Sequence, residues 1–345
     1  MLESLYIKNY RLFRELRIDS LKRVNLIIGK NNAGKSSLLE AIATYLSRDE
    51  IALRIYTLSC ERGEWTENDF EPKNVLNSLT ALFYDRKITL NQTGNAIHIG
   101  TDENRGVSFS LINNSKNRRK QPVLVIEEDK NKVEELPLSD FKNCLPISFA
   151  ETQHKMVKAV SPLSMDDRNK LLSLYWSEIA LTEKEDYVIE ALRIVDENIE
   201  RLAFVDGTSG VKKPIIRLRN VGQPFALGSM GSGVVHILTT ILFLVHCENG
   251  TLLIDEFESG LHWSVQAELW EFIYLMAEKF NVQIFASTHS RDTLWALQQV
   301  ALSKGAEEET SIIKLLPLPK KRKIKAVEVD IENVKLALEQ ELEIR

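Results

Sequence analysis

Residues 29–36 read GKNNAGKS, the complete G-x-x-x-x-G-K-S pattern of a phosphate-binding loop. The apolar run Val24–Ile28 before it is typical of a strand, and Ser36–Tyr45 after it has helical spacing. In this arrangement the backbone N–H groups of the glycine-rich turn and of the helix N-terminus bind anions. We therefore expect the chain to bind a nucleoside triphosphate, with Lys35 on the β- and γ-phosphates and the Ser36 hydroxyl on Mg²⁺.

The composition fits a globular protein of one large domain or two, with 345 residues of which 44% are hydrophobic and 27% charged. A net charge of −5 argues against a protein whose whole surface binds nucleic acid. Two basic clusters, 116–120 and 320–323, either contact DNA phosphates or form solvated hairpin tips. Cys60, Cys144 and Cys247 are scattered, so neither a zinc site nor a disulfide framework is indicated.

The sequence favours a cytoplasmic protein without a membrane partner. Its first residues, MLESLYIKNYR, lack the pattern of a secretory signal. The longest apolar stretch, Val234–Val245, is shorter than the roughly 20 residues of a membrane span and contains His236. We interpret it as a buried helix.

Three regions follow from the periodicity. Residues 1–150 contain the phosphate-binding loop and, between 79 and 127, alternating runs that predict antiparallel strands. Residues 151–205 turn to helical spacing and predict a helical insert, whose apolar stripe either packs on its own domain or faces a partner. Residues 206–345 alternate between strands and helices, which predicts a mostly parallel sheet.

Two carboxylates follow the apolar run of residues 250–256, GTLLIDE. Ligands of open α/β sheets gather at the carboxyl edge of the strands, where Mg²⁺ would be coordinated. We expect Asp255 to support the metal, directly or through water. Glu256 is then placed to polarise the attacking water as a general base.

A histidine follows the next predicted strand, in the sequence QIFASTHS. Taken alone, His289 could be an ordinary residue at the end of a core strand. Its position one strand after the two carboxylates instead indicates a sensor that donates a hydrogen bond to the γ-phosphate.

A second glycine- and serine-rich loop, LGSMGSG at 227–233, precedes the apolar helix. Such a loop at a helix N-terminus is again suited to anions. One chain cannot readily use two such loops on one phosphate group. Ser229, Gly231 and Ser232 are therefore expected to complete the site of a second subunit.

These motifs, in this order, resemble Walker A, signature loop, Walker B and histidine switch of ABC-type ATPases. The start IKNYRLF is similar to the N-terminal strand of one branch of these ATPases, which contains structural-maintenance-of-chromosomes (SMC), RecF and OLD (overcoming lysogenisation defect) proteins. The segment IDEFESGLHWSVQ resembles the segment after Walker B in OLD-type ATPases. The resemblance implies an α/β P-loop fold with an antiparallel β subdomain and a helical insert. It also implies ATP hydrolysis with Mg²⁺, a D-loop at Glu258–His262, and a homodimer that sandwiches two ATP molecules. The implied contacts to ATP are Arg11, Asn31, Asn32, Gly34, Lys35, Ser36 and Ser37.

Two features depart from the family pattern. The loop LGSMGSG does not match the usual LSGGQ motif, which leaves open the atoms that would contact the phosphates of a second subunit. The Q-loop has no clear match; Gln153, between the predicted strand Pro146–Phe149 and the helical insert, is the best candidate for a further metal ligand.

The resemblance implies a separate effector. OLD nucleases carry a TOPRIM domain after the ATPase, and the sequence ends at Arg345 shortly after its ATPase elements, so we expect any nuclease to be another protein. An ATP-driven switch for such a nuclease in antiphage defence, or for DNA, is the favoured function. The alternatives are a RecF-like clamp in DNA repair or recombination, an ATP-binding scaffold with negligible turnover, and a transporter ATPase with a separate membrane subunit. Intact Glu256 disfavours the scaffold, and the IDEFESGLH run disfavours the transporter.

Overall fold

The computed structural model describes residues 1–66, 69–88, 90, 95–113, 122–144, 157–160, 165–207, 210–318, 323–332 and 334. Three β-sheets and eight α-helices account for most of these residues. The strands are β1 Leu5–Tyr10, β2 Phe13–Ile18, β3 Val24–Ile28, β4 Ile97–Gly100, β5 Gly106–Asn113, β6 Pro122–Glu128, β7 Asn131–Pro137, β8 Val157–Val160, β9 Ile199–Asp206, β10 Lys212–Leu218, β11 Phe225–Ala226, β12 Thr251–Ile254, β13 Gln283–Thr288, β14 Thr310–Leu318 and β15 Lys323–Val329. The helices are α1 Lys35–Leu46, α2 Ile51–Glu61, α3 Pro72–Thr80, α4 Met165–Ile179, α5 Glu183–Arg193, α6 Ser232–His246, α7 Trp263–Lys279 and α8 Arg291–Lys304.

A mostly parallel sheet carries the phosphate-binding loop. Its strand order is β15-β14-β3-β13-β12-β8, in which only β15 runs antiparallel to its neighbour. The loop strand β3 is completely buried between β13 and β14, as its run of apolar residues requires of an inner parallel strand. The sheet therefore brings the ends of β3, β12 and β13 to one edge. The mostly parallel sheet predicted from the strand–helix alternation of 206–345 is confirmed, and β3 and β8 join it from outside that range.

Alternate residues of the central strands enter two separate hydrophobic cores. Leu26 and Ile28 of β3 pack in a core formed with helices α4 to α8, whereas Ile27 packs in the other core. In the same way Ile254 of β12 lies in the first core and Leu253 in the second. The period of two along a strand thus places one helical layer on each face of the sheet.

An antiparallel sheet, ordered β2-β1-β4-β5-β6-β7, encloses the second core together with α1 to α3. Ile97 and Ile99 of β4 and Val107 and Phe109 of β5 are at most 1% exposed, whereas His98 and Ser108, which alternate with them, are partly exposed. This arrangement confirms the antiparallel subdomain predicted from the alternating pattern. The basic cluster at 116–120 lies outside the described residues, and of 320–323 only Lys323 is described.

The segment predicted as a helical insert, 151–205, contains α4 and α5 but also two strands. β8 joins the edge of the parallel sheet beside β12, and β9 begins a three-stranded antiparallel sheet ordered β11-β10-β9. The four-residue strand β8 is too short to give a periodic signal, and its place is set by pairing with β12. The apolar stripe of α5, including Val188 and Leu192, is fully buried in the core that it shares with α6. The stripe thus packs on its own chain.

Helix α6 is buried along nearly its whole length, which agrees with the interpretation of Val234–Val245 as an internal helix. Among the helices in the described part of the chain, none combines the length and apolar character that crossing a membrane requires.

Candidate nucleotide-binding site

The phosphate-binding loop connects β3 to α1 and depends on glycine at its last position. Gly34 has a φ of +97°, in the left-handed region, and caps the N-terminus of α1. A Cβ on Gly34 would lie 2.9 Å from Cζ of Phe13, which is itself fully buried. Both the backbone conformation and the space therefore require glycine at this position. The loop is held against the antiparallel subdomain by this contact.

The Lys35 side chain folds back onto the loop that precedes it. Its Nζ donates hydrogen bonds to the carbonyl oxygens of Gly29 at 2.8 Å and Lys30 at 3.2 Å, and the residue is 9% exposed. Burial lowers the pKa of Lys35, and the nearby carboxylates of Asp255, Glu258 and Glu256 oppose that shift. The ammonium group is thus positioned among carboxylates and loop carbonyls at the carboxyl edge of the sheet.

A cleft of about 890 Å³ opens beside this loop. Its volume is in the range of small-molecule binding sites. One side is the loop with the first turn of α1, and the end of β12 contributes both carboxylates. Of the residues predicted from the sequence, those lining the cleft are Arg11, Asn31, Asn32, Gly34, Lys35, Ser36, Ser37, Asp255 and Glu256.

Ser287, at the end of β13, organises the two carboxylates. Its hydroxyl donates a hydrogen bond to Oδ1 of Asp255 and accepts one from the backbone N–H of Glu256 at 3.0 Å. Glu256 has a φ of +54°, a conformation that costs a non-glycine residue about 1–3 kcal/mol and often marks a functional site. Ser287 is completely buried. No sequence pattern marks Ser287 as a site residue, although it lies only two residues before His289.

The oxygen donors fit a magnesium ion that is shared with phosphate groups. Ser36 and Asp255 line the same cleft, and a hydroxyl with a carboxylate is a typical protein contribution to Mg²⁺ bound through a nucleotide. The described residues contain no group of three or more His, Cys, Asp or Glu side chains that could hold a metal by themselves. An ion at this edge would therefore need phosphate and water ligands as well. Gln153 lies outside the described residues.

His289 is near this site but is not among the residues that line the cleft. Its Nδ1 lies 2.8 Å from Oε1 of Glu258, and its backbone N–H donates to the same oxygen at 2.9 Å. Thr288 donates to the other carboxylate oxygen of Glu258 at 2.6 Å. The side chain of His289 is 51% exposed, whereas that of Glu258 is 12% exposed. The imidazole is thus anchored at one nitrogen and open to solvent on its other side.

The signature-like loop also lies outside the cleft. Leu227–Met230 forms one 3₁₀ turn before α6, and the residues Gly228, Ser229, Gly231 and Ser232 are exposed. The loop packs instead against the segment that follows the two carboxylates. A Cβ on Gly233 would lie 2.2 Å from the carbonyl oxygen of Gly260, so the two backbones are in direct contact.

Arg11 lines the cleft but is already engaged by two carboxylates. Its Nε lies 2.7 Å from Glu40, and its Nη1 donates to both oxygens of Glu64, at 3.1 and 2.9 Å. The side chain is 5% exposed, and Nη2 has no hydrogen-bond partner among the described residues. Arg62 and Arg86 contact the same two carboxylates, Arg62 on Glu40 and Arg86 on Glu64. These acids gave no recognisable signal in the sequence, because they act only through contacts with distant residues.

A model of the AAA ATPase domain family matches residues 1–173 and 150–293. An ATP/GTP phosphatase of Helicobacter pylori is 23% identical over 353 residues, which cover 90% of this chain and 91% of that protein.

Solved structures of SMC heads share the fold. An SmcHead bound to the C-winged helix domain of ScpA has a TM-score of 0.54 at 12% identity and covers 97% of this chain and 99% of its own. An Smc head domain from Pyrococcus furiosus, with an extended coiled coil and the C-terminal domain of ScpA, has a TM-score of 0.50 at 13% identity, covering 98% of both chains. These likenesses confirm the ABC-type P-loop fold. Because the family model spans well over half of the sequence, this chain belongs to the AAA ATPase domain family and is an ATPase.

Proposed function

We propose that this ATPase is a switch in which two copies close around two ATP–Mg²⁺ units and separate after hydrolysis. The observation that carries the proposal is the position of the signature-like loop. Gly228, Ser229, Gly231 and Ser232 form an exposed loop at a helix N-terminus, yet none of them lines the cleft of its own chain. A second copy, arranged head to tail, would bring this loop to the phosphates bound at Lys35.

Within each protomer, different residues of the cleft would bind the phosphates and the metal ion. The loop residues Asn31, Asn32, Gly34, Lys35, Ser36 and Ser37 would bind the phosphates. Arg11 also lines the cleft, and its Nη2 has no hydrogen-bond partner among the described residues. Ser36 and Asp255 would hold Mg²⁺, which neutralises charge that develops on the phosphate oxygens. Ser287 supports this role because its hydroxyl donates a hydrogen bond to Oδ1 of Asp255 and so orients the side chain.

Glu256 would act as the general base. Its backbone N–H is fixed by Ser287, so the side chain starts from a set position at the edge of the cleft. It would take a proton from the water that attacks the γ-phosphorus, while the bond from that phosphorus to the bridging oxygen of ADP breaks. His289, held through Nδ1 by Glu258, would leave Nε2 to contact the γ-phosphate when the protomers close.

The dimer is tested with Glu256→Gln, which should retain ATP but not hydrolyse it. We expect sedimentation velocity to give twice the monomer mass with ATP and Mg²⁺, and a weaker or absent dimer without nucleotide. A monomer that binds ATP in every condition would reject the switch.

The regulated partner is proposed to be an OLD-type effector, such as a TOPRIM-type nuclease in antiphage defence, or DNA. The segment IDEFESGLHWSVQ supports the OLD-like assignment through its resemblance to the segment after Walker B in OLD-type ATPases. A nuclease gene beside the gene for this chain, with a product that co-purifies only with ATP present, would support it. A salt-sensitive affinity for DNA without any protein partner would instead favour the RecF-like clamp.

A further inference from the structure

One wall of the cleft has no role in the chemistry proposed above. It is formed by Arg62, Glu64 and residues 84–86, and it lines the same cavity as the phosphate-binding loop. The apolar residues Pro317, Leu318 and Ile324 of the β14–β15 hairpin line the cavity as well. Since Lys35, Ser36, Asp255 and Glu256 account for the phosphates and the metal, this remaining wall is available to the rest of a nucleotide.

Asp85 and Arg86 form a strained turn in this wall. Their φ angles are +56° and +53°, and the Lys87 N–H donates to the Tyr84 carbonyl at 3.3 Å. Turns with two consecutive positive φ angles strongly prefer glycine at the second central position. Here that position is occupied by arginine. A strained residue that lines a ligand cleft is a candidate for a functional role.

The contacts of Glu64 explain how Arg86 is presented. Glu64 is engaged at close distance by the buried Arg11, and Arg86 reaches it only at 3.5 Å. The Arg86 side chain is 73% exposed, whereas that of Glu64 is 12% exposed. The guanidinium is therefore held near the cleft by a weak contact and has donors and a flat face left for a ligand.

This wall carries as many carboxylates as guanidinium groups, Glu64 and Asp85 against Arg62 and Arg86, so it is not simply an anion site. Glu64 and Asp85 place two carboxylates beside Arg86, and Asp85 has no polar partner in the part of the chain that the structure describes. Carboxylates repel phosphate groups but accept hydrogen bonds from hydroxyl and amino groups. An arginine guanidinium stacks on flat aromatic rings.

We propose that Arg86 binds the nucleoside of the bound nucleotide, by stacking on its base, while the phosphates lie at Lys35. This proposal rests on the nucleotide-binding role of the cleft proposed above. The strain at Arg86 is then retained because glycine, which would relieve it, would remove the contact.

A second turn in this chain has the same kind of backbone strain as Asp85 and Arg86 and can serve as a control. Asp129 and Lys130 form the tip of the β6–β7 hairpin, with φ angles of +48° and +66°, and neither lines the cleft. Lys130→Gly thus makes the same kind of backbone change as Arg86→Gly at a distant turn.

The test compares Arg86→Gly, Arg86→Lys and Lys130→Gly with the wild type by calorimetric titration with ATP, ADP and inorganic tripolyphosphate. We expect both glycine variants to raise the melting temperature, which shows that they fold. Arg86→Gly should weaken ATP and ADP binding about tenfold, the size of one stacking contact, and leave tripolyphosphate unchanged. Arg86→Lys should recover only part of the loss, and Lys130→Gly should bind as the wild type does.

Equal ATP affinity in Arg86→Gly and the wild type would overturn the proposal, as would an equal loss for tripolyphosphate, which would place Arg86 on the phosphates. The proposal would also be overturned if the wild type bound ATP and ADP no more tightly than it binds tripolyphosphate, because the nucleoside would then add nothing to the affinity. Failure of the wild type to bind any of the three would reject the nucleotide-binding role itself.

Discussion

The carboxylate of Glu258 accepts a hydrogen bond from the backbone N–H of His289 at 2.9 Å, and the imidazole Nδ1 lies 2.8 Å from the same oxygen. The two residues follow different strands, β12 and β13, so the contact joins two neighbouring strand ends at the carboxyl edge of the sheet. Nδ1 is placed to donate its N–H to this oxygen, which orients the ring; a hydrogen bond from Nε2 to the γ-phosphate would then need a proton on that nitrogen as well.

We predict that Glu258→Ala lowers kcat roughly 10- to 100-fold with little change in KM. The substitution leaves Lys35 and the loop intact but removes the group that orients His289, and small misplacements of a catalytic group have effects of this size. Steady-state ATPase assays measure both constants. Glu271→Ala, an exposed carboxylate on α7, serves as the control and should behave like the wild type. An unchanged kcat in Glu258→Ala would exclude a role for this pair in turnover.

Lys35→Ala should abolish nucleotide binding, whereas Glu256→Gln should bind ATP and fail to hydrolyse it. Lys35 supplies positive charge to the phosphates in the ground state, while Glu256 acts mainly in the transition state, where a general base contributes about 10²–10⁴-fold. Equilibrium binding and phosphate-release assays separate the two effects. Hydrolysis at the wild-type rate by Glu256→Gln would remove Glu256 from the mechanism.

Ser229→Arg should prevent ATP-dependent dimerisation while leaving ATP binding intact. Ser229 is exposed and outside its own cleft, so a large side chain there would obstruct only a second copy. Sedimentation of the double variant with Glu256→Gln, with and without ATP, measures the effect. Ser177→Arg, at another exposed serine, on α4, is the control, and this variant should still dimerise. Dimerisation of the Ser229→Arg protein would disprove the proposal that this loop completes the nucleotide site of a second copy.

The chain by itself should not cut DNA, even with Mg²⁺ and ATP. A metal-dependent nuclease needs carboxylates arranged around one or two metals. Among the described residues, Asp255 and Glu256 lie in the nucleotide cleft, and no separate group of three or more metal-binding side chains occurs. The assay is supercoiled plasmid with purified protein and Mg²⁺ or Mn²⁺. Cleavage that persists in Glu256→Gln would reveal a second metal site and make this chain the effector.

His236 should make the fold sensitive to acid. Burial lowers the pKa of His236 to about 4. A hydrogen bond with the backbone of Phe257 and the negative charge of Glu258 oppose this shift, whereas the positive charge of Arg168 adds to it. The unfolded chain binds the proton near pH 6.5 and the folded chain only near pH 4, so stability falls as the pH drops through that window. By pH 4.5 the loss should reach about 2–3 kcal/mol.

Urea unfolding of the wild type and His236→Gln at pH 7 and 4.5 measures this contribution. Other acids titrate alike in both proteins, so the difference between their pH dependences reports on His236. Parallel losses of stability in the two proteins would refute the prediction.

The sequence predicted those parts of the site that lie in short, continuous segments. The loop at 29–36, Asp255 and Glu256 could be found because each motif includes the strand that positions it. The contacts of Glu258 with His289, and of Arg11 with Glu40 and Glu64, join residues that are distant in the chain, and no local pattern signals them.

The fold follows the same division. The antiparallel subdomain and the parallel sheet were predictable because their strands carry repeated apolar patterns. β8 was not, because four residues give no period and the strand exists through its pairing with β12. The boundaries of the three regions and the roles of the site residues stay predictions.

The contact between Gly233 and Gly260 has a mechanical consequence. Because their backbones touch without any side chain between them, a shift of the segment that follows Glu256 would press directly on the signature-like loop. In the closed pair proposed above, a displacement of Glu256 would therefore be passed to the loop that lies next to the phosphates of the other molecule. The contact between these two glycines would thereby couple the two nucleotide sites of the dimer.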